Sequence, residues 1–256
     1  MLFPAPNLMG AAALAKRCQP CKASGVSRIQ RAFERRFNEL LGELGTRDRQ
    51  KGVRWIFARA HDSTGEDPME LSRGLTEQNI RLVEKVHRYR KRKGFGEAQP
   101  GETTLICDAG LGGLARWLRA SGCDARWRQD ISDSDLVAEA DRLQARIITT
   151  DSFLLDRRAI AQGAVRATWV PPTLNKFEQL RLVRAELDLP TSESRCMGCG
   201  GELVKVPKED FKGRIPSKTY AWVDEYYQCS RCEKLFWQGT HWKQVSAALE
   251  KNRGTG

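Results

Sequence analysis

Thr104–Leu118, TLICDAGLGGLARWL, is an apolar run that ends in one aspartate and turns through glycines into a second apolar pattern. Leu105, Ile106 and Cys107 read as a buried strand, because a short apolar run bounded by turn residues is how the inner strand of a parallel sheet looks in sequence. Leu111, Leu114 and Leu118 recur at helical spacing, so the stretch is a strand–turn–helix unit with Gly110, Gly112 and Gly113 at the turn. Asp108 then falls at the strand's carboxyl end, where open α/β sheets bind ligands. An aspartate there also suits a helix cap, so taken alone it leaves both roles open.

The unit repeats downstream. The pattern predicts strand Thr104–Cys107, helix Leu111–Ala120, strand Ala125–Gln129, helix Ser134–Leu143, strand Arg146–Thr150, helix Phe153–Gln162, strand Val165–Val170 and, after Pro171 and Pro172, helix Leu174–Leu187. Alternation at this spacing implies a parallel sheet with helices on both faces. Asp108 ends the first strand, Asp130 follows the second, Asp133 and Asp135 open the next helix, Asp151 ends the third strand, and Asp156 lies one turn further on. Carboxylates gathered at one sheet edge repel one another, and a divalent cation offsets that repulsion. Oxygen-only ligands favour Mg²⁺ or Mn²⁺ over zinc, and such an ion can activate water against a phosphodiester. Helix capping accounts for Asp133 and Asp151 individually but not for two aspartates that each terminate an apolar strand.

Eight cysteines include three C-x-x-C pairs. Cys196 and Cys199 are separated from Cys229 and Cys232 by 29 residues, and four thiolates in two short turns can close a tetrahedral zinc site. Four sulfur ligands leave no open position, so this is a fold clip rather than a catalytic centre, and the interval requires a long hairpin between the two turns. Trp222, Tyr226, Tyr227, Phe236, Trp237 and Trp242 form an aromatic set among lysines and arginines; most are expected in the small core, the rest free to stack on bases. His241 stands nearby as a fifth candidate ligand or, with the four thiolates closing the site, as a packed or RNA-facing side chain. Cys18 and Cys21 have no second pair nearby.

The run from Cys107 to Arg119, CDAGLGGLARWLR, followed by Asp133-Ser134-Asp135-Leu136, Thr149-Thr150-Asp151, the two cysteine pairs and Trp237–Trp242, WQGTHW, resembles the PIN-like ribonucleases of the Mut-seven C-terminal RNase family. The resemblance covers about residues 104–245. It implies a PIN-like α/β domain joined to a zinc ribbon, with Asp108, Asp133 and Asp151 as carboxylates holding catalytic Mg²⁺ or Mn²⁺, Asp135 as a substitute for Asp133 and Asp156 as an auxiliary. PIN nucleases often carry a fourth acidic residue near the last strand, and residues 164–172 contain none.

The flanks differ from this middle. The formal net charge is +11, with 20 Lys and Arg against 12 Asp and Glu in residues 1–103, 12 against 12 in residues 104–190, and 11 against 8 in residues 191–256. Basic flanks around an acid-rich middle suit a protein that holds a polyanion while the acidic part acts on it. Residues 1–33 contain no Asp or Glu, a profile shared by organellar transit peptides and basic nucleic-acid-binding arms. From Ser27, with Gln30 as its capping-box partner, Ile29, Phe33, Phe37, Leu40, Leu41 and Leu44 predict a helix; residues 45–74 read as a loop or short elements, and Leu75–Arg92 as a second helix. That helix ends in Arg88, Arg90, Lys91, Arg92 and Lys93, more cations than the helix dipole requires, which points to phosphate contacts. Arg116 and Arg119, one helical turn apart, are further RNA-binding candidates, or surface arginines on a core helix.

The resulting expectation is an α/β protein with a PIN-like parallel sheet and flanking helices, a zinc ribbon and an α-helical N-terminal extension. Its segments are a basic stretch at 1–26, transit peptide or disordered, a helical extension at 27–103, the RNase domain at 104–190, the ribbon at 191–245 and a tail at 246–256. The expected function is metal-dependent hydrolysis of RNA. The alternative is an RNA- or ribonucleoprotein-binding protein without turnover, with a ribosomal particle docking on the N-terminal helices. Paired cysteines without a secretory signal predict a reducing compartment, the cytoplasm or, from the acid-free start, a mitochondrion or plastid. No run approaches the apolar length of a membrane span.

Overall fold

The computed structural model describes residues 25–64, 67–94, 104–190 and 192–237. The expected transit segment, Cys18, Cys21, most of the Gly94–Gly101 linker, His241 and Trp242 lie outside the described residues. Among the described residues no helix is long and apolar enough to cross a membrane.

Four short strands, β1 (Leu105–Cys107), β2 (Ala125–Trp127), β3 (Arg146–Thr149) and β4 (Arg166–Trp169), form one parallel sheet in the order β2-β1-β3-β4. Cys107 sits opposite Trp127 on one side and Ile148 on the other. Alternate side chains take opposite faces, as strand geometry requires. Leu105, Cys107 and Ile148 pack with Leu114 and Leu118 of α4 (Gly112–Ala120) and with Leu180 and Val183 of α7 (Lys176–Leu187). Ile106 and Ile147 pack on the opposite face with Leu136 and Ala140 of α5 (Asp133–Leu143), Leu154 and Val165. The sheet is therefore buried on both sides, which explains why its strands read as unbroken apolar runs.

The expected helix Phe153–Gln162 is instead a 3₁₀ turn, Leu154–Asp156, followed by the single-turn α6 (Arg158–Ala161). Arg157 between them is extended, at φ −61° and ψ 136°. The Asp151 carboxylate accepts the Phe153 N–H at 2.8 Å, which curls the chain into a turn directly after β3.

The N-terminal part is three helices, α1 (Gly25–Glu43), α2 (Arg49–Thr64) and α3 (Pro68–Arg92), around Phe33, Phe37, Leu40, Val53, Ile56, Leu71, Leu75 and Val83. Three expectations change here. Helix α1 begins two residues before Ser27, so Ser27 is not its N-cap. The segment expected to be a loop or short elements holds the 16-residue α2, whose buried side is only Val53, Ile56 and Ala60. Its Gly52 packs so closely on α1 that an added Cβ would lie 2.8 Å from Leu41 Cδ1, so a residue that weakens the helical pattern is what permits the contact. Helix α3 starts seven residues earlier than its apolar pattern, at Pro68 behind the N-cap Asp67, whose carboxylate accepts the Met69 N–H.

This unit docks on the α/β domain. Trp169 of β4 meets Phe33 edge-on at 5.4 Å, and Asn79 and Arg36 both bond to Glu186 of α7. Arg181 of α7 pairs with Glu77 at 2.7 Å, and the Ser72 and Thr173 hydroxyls share a hydrogen bond at 2.6 Å.

The C-terminal part is an antiparallel sheet, β5 (Leu203–Val206), β6 (Tyr226–Cys229) and β7 (Leu235–Trp237), with a 3₁₀ turn and α8 (Ser217–Trp222) in the long connection between β5 and β6. Its core is small: Phe211, Ile215 and Tyr226 are buried, with Trp237 partly buried against Tyr226. Trp222, 86% exposed, lies outside that core, as do Tyr227 and Phe236.

Candidate active site and metal centre

The strand order reverses between β1 and β3: the chain leaves β1 for β2 on one side and returns to β3 on the other. Such a switch point opens a crevice at the carboxyl ends of the strands. Asp108 and Asp151 follow β1 and β3, one on each side of it. Thr149, the last residue of β3 and fully buried, joins the two. Its hydroxyl donates to Asp108 Oδ2 at 2.7 Å and accepts the Asp151 N–H at 2.9 Å. The Asp108 N–H donates to the Ile148 carbonyl at 2.9 Å, so the β1–β3 ladder runs up to the aspartate.

The turn after Asp108 is held by β2. Trp127 Nε1 donates to the Ala109 carbonyl at 2.9 Å, and a Cβ on Gly112 would stand 2.7 Å from that indole ring, so only glycine fits. Thr149 and Trp127 are the two positioning residues that motif reading missed. The signal for Thr149 was present: a polar residue one step before the end of the apolar strand expected at Arg146–Thr150.

The remaining acidic candidates are differently engaged. Asp133, at the start of α5, pairs with Arg157 at 3.1 Å, and both are exposed. Asp135 closes the N-terminus of the same helix: Ser132 Oγ accepts the Asp135 N–H and donates to Asp135 Oδ2 at 2.8 Å. Asp156 pairs with Arg35 of α1 at 2.9 Å. The carboxylate oxygens of Asp108, Asp133 and Asp151 do not all come within 4.8 Å of one another; among the described residues only the cysteine group does so. Beside Asp151, Phe153 is 59% exposed with the Arg28 guanidinium 4.8 Å above its ring, so α1 reaches the rim of the crevice.

Cys196, Cys199, Cys229 and Cys232 form that group. Two Sγ–Sγ separations are 3.6 Å (Cys196–Cys232) and 3.4 Å (Cys199–Cys229). A tetrahedron with Zn–S bonds of about 2.3 Å has edges of about 3.8 Å, so the four sulfurs fit a zinc ion. Burial alone opposes ionisation of Cys229, but the N–H groups of Cys232 and Arg231 point at its sulfur and hold the thiol down at about 6.

Arg119 requires a correction. As an RNA-binding candidate it would face solvent, but it is 4% exposed. Its Nε donates to the Ala125 carbonyl at 2.6 Å, and its Nη1 donates to the carbonyls of Met197 and Gly198 inside the first cysteine turn. Arg119 therefore locks the first cysteine turn to α4 and β2, while Arg116 on the same helix is exposed. Of the basic residues ending α3, Arg90 pairs with Glu43 at 2.6 Å, Lys93 lies over the Tyr89 ring, and Lys91 and Arg92 are exposed. Helix α3 runs from Ser72, beside Thr173 after β4, to Arg90, so its basic end lies toward the amino ends of the strands, away from the acidic crevice.

Residues 103–249 match the Mut7-C RNAse domain family, a span that takes in the parallel sheet and the cysteine centre. A human relative, exonuclease mut-7 homolog, is 31% identical over 113 residues, which is 42% of this chain and 13% of the relative's length. No solved structure matches the chain. With both aspartates at the switch point, the cysteine group and more than half of the chain inside the match, the protein belongs to the Mut7-C RNase domain family.

Proposed function

We propose that the protein hydrolyses RNA phosphodiester bonds at the carboxyl edge of the parallel sheet, with Mg²⁺ or Mn²⁺ held by Asp108 and Asp151. The carrying observation is how these two are set. Thr149 fixes Asp108 Oδ2 and the Phe153 N–H fixes Asp151 Oδ1, while Asp108 Oδ1 and Asp151 Oδ2 have no hydrogen bond from the described residues. Mg²⁺ characteristically takes one or two carboxylates and completes its shell with water and substrate phosphate, so two open carboxylates suit it. When bound, the ion lowers the pKa of water and offsets charge on the phosphodiester. Thr149 keeps the two aspartates in register, and the Asp133–Arg157 pair, exposed and worth little by itself, can release Arg157 to a phosphate and Asp133 to the site. Phe153 offers an unpaired base a face to stack on. The basic end of α3 and Arg116 hold more distant backbone phosphates, and a four-thiolate site at Cys196, Cys199, Cys229 and Cys232, which needs reduced cysteines, supports a reducing compartment.

A second reading, RNA or ribonucleoprotein binding without turnover, draws on the engagement of Asp133 by Arg157 and on the absence of Asp and Glu from residues 164–172. Cleavage of labelled single-stranded and structured RNA separates the two. Wild type, Asp108→Asn and Asp151→Asn are compared with added Mg²⁺, added Mn²⁺ and neither. Metal-dependent cleavage lost in both variants establishes the reading; tight binding with no metal-dependent cleavage replaces it with the second. The variants are needed because a chelator would also strip the cysteine centre.

A further inference from the structure

Between the N-terminal helices and the α/β domain lies a cavity of about 700 Å³, walled by α1, α3, α7 and the outer strand β4. That size suits a ligand of mononucleotide scale. It is rich in cations, and most of them are matched. Arg36 pairs with Glu186, Arg35 with Asp156 and Arg90 with Glu43.

Two are not. Arg146 and Arg166 open β3 and β4 and are register partners, so their side chains leave the same face of the sheet side by side. Arg146 donates to the Thr168 hydroxyl at 3.3 Å and Arg166 to the Gln144 carbonyl at 3.3 Å; among the described residues neither has a carboxylate within 4.0 Å. Like charges at paired strand positions destabilise a sheet unless an anion joins them. Asn79 adds an independent sign. It lines the same cavity at 2% exposure and donates to Glu186 at 2.6 Å, yet its Oδ1 is buried with no partner.

We propose that this cavity is a phosphate site, with Arg146 and Arg166 binding the phosphate of a mononucleotide-sized group and Asn79 Oδ1 accepting a hydrogen bond from the same group. The phosphate belongs either to a free mononucleotide or to the terminal nucleotide of an RNA strand. Burial lowers the Arg146 pKa from its ordinary value, and Arg166 and Arg36 lower it further, with Glu186 opposing them only in part; an added anion would relieve the rest. Arg146 and Arg166 stand at the amino ends of β3 and β4, whereas Asp108 and Asp151 follow the carboxyl ends of β1 and β3, and two of the cavity's walls are helices outside the family match. The site does not depend on the nuclease reading.

The test is calorimetric titration of the full, zinc-loaded chain with 5′-AMP, adenosine and inorganic phosphate, without added divalent cations. The expected result is one AMP per chain, weaker phosphate binding and no adenosine binding. Arg146→Met should weaken AMP at least tenfold, and Asp108→Asn should leave it unchanged. AMP at about five times its Kd should raise the Tm of wild type by about 2–4 °C and that of Arg146→Met not at all. Without ligand, Arg146→Met should melt no lower than wild type, since it removes a crowded cation; a lower Tm would make Arg146 a structural strut and overturn the proposal. So would equal binding of AMP and adenosine, or AMP binding lost in Asp108→Asn. An RNA oligonucleotide with and without a 5′-phosphate identifies the source: a preference for the phosphorylated end that Arg146→Met abolishes assigns the site to RNA termini, and no preference assigns it to free mononucleotides.

Discussion

The cysteine centre and the acidic crevice are both made of anionic ligands delivered by short turns, yet they are built in opposite ways. The four sulfurs lie within 4.8 Å of one another, two of the cysteines are buried, and backbone N–H groups point at Cys229. A complete tetrahedron leaves no place for a substrate. At the acidic edge Asp108 and Asp151 each keep one oxygen without a hydrogen bond from the described residues, and Asp133 pairs with Arg157. That set is incomplete without something brought from outside. A closed ligand set contributes folding energy, whereas an open one leaves coordination positions for a substrate. Damage to the first should therefore appear as lost structure and damage to the second as lost turnover.

The largest expected effect comes from breaking the closed site. Structural zinc contributes an apparent ~10–16 kcal/mol in small zinc peptides, far more than a core of Phe211, Ile215 and Tyr226 can supply. Chelation or Cys199→Ser should make residues 196–237 protease-sensitive while the 104–190 region stays protected, read by limited proteolysis with mass spectrometry. Next comes the open site. Asp108→Asn should lower kcat by about a thousandfold, equivalent to ~4 kcal/mol, with Tm unchanged because no ion pair is lost. A parallel fall in Tm would erase the contrast between the two sites. Arg119→Met tests the joint between them. It leaves the carbonyls of Ala125, Met197 and Gly198 without their charged donor and should cost about 3 kcal/mol, measured by denaturant unfolding.

Much of this contrast was legible in the chain. The strand ends that carry Asp108 and Asp151, the alternation that makes a parallel sheet, and the paired cysteines all rest on local patterns of a few residues. What was not legible depends on distant partners. Arg119 looks like any helix-surface arginine until a cysteine turn 78 residues away supplies its acceptor. Helix α2 escaped because three buried residues make a thin apolar stripe and Gly52 interrupts it. The start of α3 escaped because Asp67 and Pro68 precede the apolar residues that mark the helix. Arg146 and Arg166 gain their meaning only from β3–β4 register, which no local pattern states.

The smallest effect is the sharpest probe, because Thr149 belongs to both halves of the contrast. It is fully buried, as a structural residue would be, yet both of its hydrogen bonds end at the candidate catalytic aspartates. Thr149→Val keeps the β-branched shape and removes one hydroxyl. The lost hydrogen bonds should cost about 1 kcal/mol in stability. If the hydroxyl served the fold alone, kcat would not move. If it holds Asp108 and Asp151 in register, kcat should fall by about tenfold, equivalent to ~1.4 kcal/mol, with KM little changed, since the loss concerns alignment of the reacting groups rather than RNA binding. Thr149→Ser should restore kcat while leaving part of the stability loss, because it returns the hydroxyl without the methyl group. Recovery of stability without recovery of turnover would assign Thr149 to the core and leave the two aspartates aligned by the strands alone.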